Sequence, residues 1–199
     1  MRKTWIRASG FFGIITPLIA FACIIAATAL ASSFSWTDNA LSDLGVMPEP
    51  TATLFNTSLI ISGILTILFA TGLYLSFEKS ALGRFGAMIF SLCAVALTSI
   101  GVFTENMRPM HVYASVAFFA LFPVSMFVFA TSFFLLAKPK KAVFTLAVAL
   151  FAVLVWVLEF AIRYVPGVAI PETLSALAAS LWAVVLGFKM VSNGSRSGK

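Results

Sequence analysis

A chain of 199 residues that is 61% hydrophobic and 10% charged, with a mean hydropathy of +1.05, is too apolar for a soluble domain, in which roughly a quarter of the residues are charged. The net charge of +6 and pI near 9.7 do not point to nucleic acid, because the basic residues stand in short clusters between apolar runs, the arrangement that orients membrane proteins. Cys23 and Cys93 both lie inside apolar runs and form neither a disulfide framework nor a zinc spacing.

Arg2, Lys3 and Arg7 precede an apolar run that ends Ala29-Leu30-Ala31. This imitates a secretory signal, but a signal's apolar region covers about 7–15 residues. The run here has the roughly 20 needed to cross hydrocarbon, so a first span is expected at about 8–31, kinked at Pro17. The polar stretch WTDNALSDLG, Trp36 to Gly45, follows, then Pro48, Pro50 and a second span at about 53–77. Glu78, Lys79 and Arg84 flank a tight connection to a third span at 83–103, and Glu105 to His111 forms the next loop. The fourth span, 112–137, is dense in phenylalanine, which suits lipid contact or shape filling better than a cofactor box. Lys138, Lys140 and Lys141 surround Pro139 before a fifth span at 142–162. A Pro166-Gly167 turn leads to Glu172, Thr173 and a sixth span at 173–191, and the polar tail 192–199 is expected to be disordered. The predicted fold is all-α, a polytopic integral membrane protein with a single six-transmembrane-helix bundle and a short interfacial helix in the first outer loop.

With six spans, both termini share one side. Placing them in the cytoplasm puts eleven of the 13 Lys and Arg residues inside, with only Arg108 and Arg163 outside, as the positive-inside rule requires. Six of the seven acids (Asp38, Asp43, Glu49, Glu105, Glu159 and Glu172) then lie outside with His111, and only Glu78 lies inside. A multi-pass plasma-membrane protein with cytoplasmic termini is expected. Small residues at four-residue spacing, such as Ala179, Ala183 and Gly187 or Ser58, Ser62 and Gly63, should let the helices approach closely. The span centres hold hydroxyls such as Thr66, Thr98 and Ser125 but no ionisable group, which disfavours a proton-coupled transporter or charged-ion channel.

Ser35-Trp36-Thr37-Asp38 fits a helix-capping pattern, so a helix from Ser35 to Gly45 is expected. Asn39, Ser42 and Asp43 would share one face of it. That face either meets water and caps the bundle, or folds inward toward Asn56, Glu105 and His111. Glu159 and Arg163, four apart, suit a helical ion pair or recognition of a phosphate-bearing headgroup by the arginine. A divalent metal on Asp38, Asp43, Glu105 and His111 lacks any HExxH or HxxxH spacing. A Ser42, His111 and acid triad lacks a nucleophile motif.

The segments Asn39-Ala-Leu-Ser-Asp-Leu-Gly45, Phe55-Asn56-Thr-Ser58 with Gly63, Gly101-Val-Phe-Thr-Glu105, and His111 with Ala114-Ser115 and Phe118-Phe119 together resemble a prokaryotic six-helix membrane family. It is catalogued as domain of unknown function nine-nine-eight and is remotely similar to the DRAM-type membrane proteins. The resemblance implies architecture, and that the polar loop, Asn56, Glu105 and His111 form one shared feature. It implies no activity. The expected function is binding of a lipid headgroup, small amphiphile or partner through an extracytoplasmic pocket of Asp38, Asn39, Ser42, Asp43, Asn56, Glu105, His111, Glu159 and Arg163. The alternative is a membrane-embedded lipid hydrolase or transferase using His111 with Glu105 or Asp43. Expected partners are membrane lipids, a second copy of the chain or a partner membrane protein, with no nucleic acid and no cofactor.

Overall fold

The computed structural model describes residues 1–196, and it contains no strand among them. Six long helices follow in order: α1 (Arg2–Leu30), α2 (Thr51–Ser76), α3 (Ala81–Val102), α4 (Met110–Leu135), α5 (Pro139–Ile162) and α6 (Ala169–Arg196). Each is long and apolar enough to cross a membrane, and a helix satisfies its own backbone groups where lipid offers none. The chain is a multi-pass membrane protein. Helix α6 continues to Arg196, so residues 192–196 of the tail expected to be disordered are helical, and 197–199 lie outside the described residues.

Each helix packs on its neighbours in sequence, and α6 returns to α1 to close a ring. The seam between α5 and α6 is the least extensive in that ring. The α1–α2, α3–α4 and α5–α6 connections share one end, which holds Asp38, Asp43, Glu105 and Glu172 and is called the acidic end below. The opposite, basic end holds Arg2, Lys3, Lys138 and Lys141.

Small residues set the closest crossings, as helix association without a hydrophobic driving force requires. A Cβ on Gly10 of α1 would stand 2.8 Å from the Gly187 carbonyl of α6, and one on Gly187 would stand 2.6 Å from the Gly10 carbonyl. On α3, a Cβ on Gly101 would stand 2.6 Å from the Asn56 carbonyl of α2. Toward the basic end the ring is filled by buried aromatics, Phe69, Phe77, Phe90, Phe129, Phe133 and Trp182. Phe129 stacks on Trp182 with centroids 5.2 Å apart. The Trp182 indole N–H donates to the Thr145 hydroxyl at 3.0 Å. The α4 phenylalanines divide: Phe122, Phe129 and Phe133 fill the core, whereas Phe127 and Phe134 face outward.

Candidate functional site

The connection between α1 and α2 folds inward across the acidic end. Its helix is a 3-10 turn over Leu41–Val46 rather than the expected helix from Ser35. The reason is the position of the capping carboxylate. Asp43 accepts the Ala40 backbone N–H at 2.9 Å and the Asn39 side-chain amide at 2.8 Å, which starts the turn at Leu41 and leaves Asp43 as the N-terminal acid. Asp38 instead closes a separate exposed turn, where hydrogen bonds from the Ser35 and Thr37 hydroxyls hold its carboxyl below the ordinary value of 3.8.

Leu41 and Leu44 are buried against Ile24, Phe55, Leu59 and Ile100, so the turn is a plug with an apolar underside. Backbone bonds lash it to the α5–α6 connection: Gly167 N–H donates to the Thr37 carbonyl at 2.6 Å, and Ala169 N–H to the Asn39 carbonyl at 2.9 Å. The Glu172 carboxylate accepts the Leu41 N–H at 2.6 Å. The Asn56 amide donates to the Gly45 carbonyl at 2.8 Å. A side chain at position 45 would collide with Asn56, which is why glycine stands there.

Beside the plug, Glu105 gathers three partners. Ser42 donates its hydroxyl at 3.2 Å, the Arg108 Nε donates at 2.9 Å, and the His111 Nε2 lies 2.9 Å from the other carboxylate oxygen. The His111 Nδ1 stands 2.7 Å from the Phe103 carbonyl, and since a carbonyl only accepts, Nδ1 carries a proton. The Ser115 hydroxyl lies 3.4 Å from Nε2.

This cluster heads a cleft of about 490 Å³ between α4 and α5. Ser42, Glu105, Arg108, His111 and Glu172 line its acidic end, while Val116, Phe119, Ala120, Ala152, Trp156 and Val157 wall the rest. A second, central cavity of about 130 Å³ lies inside the ring. Ser42, Ser115, Phe119 and Glu172 line both spaces, so the polar cluster stands where the lateral cleft meets the interior.

The family model described as protein of unknown function (DUF998) matches residues 14–189. The chain belongs to this family. No curated protein and no solved structure matches it. The matched span of this DUF998 protein includes the plug, Glu105, His111, Glu172, the wall of the lateral cleft and all of the central cavity's wall except Gly13.

Of the residues singled out by sequence, the DUF998 fold brings Ser42, Glu105 and His111 into direct contact. Asn39, Asp43 and Asn56 shape and anchor the plug. Asp38 points away into the exposed turn. Glu159 and Arg163 form no ion pair among the described residues, because α5 ends between them: Arg163 takes a left-handed conformation with φ of 43° and is exposed, while Glu159 is buried with one carboxylate oxygen unpartnered. Glu105 and His111 make the one histidine–carboxylate contact, and no group of three His, Cys, Asp or Glu side chains suited to a metal occurs among the described residues. Sequence reasoning missed Glu172 and Arg108 as site residues. Glu172 had a signal, an acid just after Pro171 in the first turn of a span, but that position also serves helix initiation.

Proposed function

We propose that this protein binds a membrane amphiphile at the acidic end, with its polar head on the Glu105, Arg108 and His111 cluster and its apolar part in the α4–α5 cleft. One observation supports this above the others: the charged groups of a cleft of about 490 Å³ stand at one end of it, above a wall of valine, alanine and aromatic side chains in which the Trp156 indole N–H is the unpartnered donor. An amphiphile has the same division, and binding sites typically pair an apolar lining with a few convergent polar groups. Arg108 beside Glu105 sets a positive and a negative group side by side, which suits a zwitterionic or uncharged polar head. Positive-inside charge placement supports a plasma-membrane orientation with the basic end in the cytoplasm and this cleft on the extracytoplasmic side.

The test is native mass spectrometry of protein released from mild detergent, with elemental metal analysis of the same sample. Wild type retains a stoichiometric amphiphile, whereas Ala120→Trp, which fills the apolar wall, and Glu105→Gln with Glu172→Gln lose it. A bare wild-type protein, or equal retention in all variants, overturns the reading.

A second reading has its own observation: the His111 Nε2 stands between the Glu105 carboxylate and the Ser115 hydroxyl, an arrangement suited to general acid–base transfer on a bound lipid. Under it, His111→Ala abolishes turnover of the retained species without releasing it. Under the binding reading the same variant changes affinity only.

A further inference from the structure

A third pocket opens at the basic end, with a volume of about 340 Å³ among α1, α2, α4, α5 and α6. Lys3, Lys138, Lys141 and Lys189 line it, contributed by the start of α1, the α4–α5 connection with the first turn of α5, and the last turns of α6. Bringing four ammonium groups to one pocket costs repulsion that a bound anion would offset.

The chain does not supply that anion among its described residues. Glu78 is the one acid in the connections at this end, and Arg2 takes it at 2.6 Å while also capping the Leu75 carbonyl. None of the four lysines pairs with a carboxylate among the described residues. Lys141 lies instead 5.6 Å from the centroid of the Phe133 ring, a contact far weaker than an ion pair with a desolvated carboxylate. Below the ammonium groups, Leu73, Phe77, Phe133, Leu186 and Met190 make a buried apolar floor. Lysine stems lie along such a surface and lift their charges toward the headgroup region.

We propose that this basic pocket is a binding site for a phosphate-bearing anion. Ammonium groups on flexible stems act as point charges that gather around phosphate oxygens, and basic pockets between membrane helices are suited to anionic headgroups. The same chemistry has two sources, the phosphodiester of an anionic lipid in the adjoining leaflet and a free phosphate from solution. The inference is independent of the cleft at the acidic end, which lies on the other side of the bundle.

The experiment is a native mass-spectrometric titration of the full chain in mild detergent. The probes are phosphatidylglycerol, phosphatidylcholine with the same acyl chains, and inorganic pyrophosphate. Wild type is expected to hold phosphatidylglycerol, pyrophosphate or both, in preference to phosphatidylcholine, and to release the anion as salt rises. Binding of phosphatidylglycerol alone assigns the site to lipid, and binding of pyrophosphate assigns it to a free anion. The variant Lys3→Gln, Lys141→Gln, Lys189→Gln loses about fivefold per lysine at low salt, about a hundredfold in all. The control Arg7→Gln, Lys79→Gln, Lys140→Gln removes the same charge from outside the pocket and stays near wild type. Equal binding of both lipids with no pyrophosphate bound overturns the proposal, and the wild-type arm reads this without any variant. A loss in the control as large as in the pocket variant also overturns it.

Discussion

Glu105 makes three contacts of unequal worth, and their ranking follows from burial rather than distance. The His111 side chain is 5% exposed and Glu105 18%, so the 2.9 Å polar contact between them is largely shielded from water and is worth about 1–3 kcal/mol. The Ser42 contact is longer, at 3.2 Å, and is worth about 1 kcal/mol. Arg108 donates to one Glu105 oxygen from both Nε and Nη2 but is 68% exposed, so water and salt screen most of that attraction. Double-mutant cycles isolate each pair. Glu105→Ala is combined in turn with His111→Ala, Ser42→Ala and Arg108→Ala, and reversible unfolding in mixed micelles is followed by tryptophan fluorescence. The expected coupling order places His111 first and Arg108 last. A coupling to Arg108 larger than that to His111 would refute the ranking by burial, with a shielded His111–Glu105 contact and a solvent-screened Arg108.

Glu172→Ala leaves the buried Leu41 N–H without its acceptor at 2.6 Å. It should destabilise the plug by about 1–3 kcal/mol, read as faster hydrogen exchange at Leu41 and Ser42, with Glu172→Gln restoring most of the protection. Gly101→Ala places a Cβ 2.6 Å from the Asn56 carbonyl and forces α2 from α3, lowering stability by about 1–3 kcal/mol. Gly86→Ala meets only side-chain atoms of Phe129 and Val128, the nearest at 3.1 Å, and should shift the unfolding midpoint less. The Asp38 carboxyl is held below 3.8 by the Ser35 and Thr37 hydroxyls. Because the folded value is the lower one, the turn's stabilisation is present above about pH 4 and is lost as pH falls through the folded value. Ser35→Ala should raise the Asp38 midpoint toward 3.8 in carboxyl-carbon NMR, and an unchanged midpoint would remove the hydroxyl as its cause.

The six spans and the division of charge between the two ends were legible in the amino-acid order alone. Both depend on local quantities: an apolar run of membrane length becomes a helix wherever it lies, because lipid offers its backbone no other partner. The small residues at helix crossings were legible for the same reason, although Gly10 and Gly101 acquired partners only in three dimensions. Placement of the polar groups was not local. Ser35 and Asp43 both have the chemistry to cap a helix, and the turn starts at Leu41 because the plug must bury Leu41 and Leu44 and reach Glu172, a residue far away in the chain. Glu159 and Arg163 have the spacing of an ion pair, yet α5 ends at Ile162 and its last turn points them apart. The lysines around the basic pocket read in sequence as orientation signals only, since their convergence requires α1, α5 and α6 to meet. A polar side chain in a membrane protein finds its role from the partner within hydrogen-bond reach, and that partner is set by how the helices close the ring.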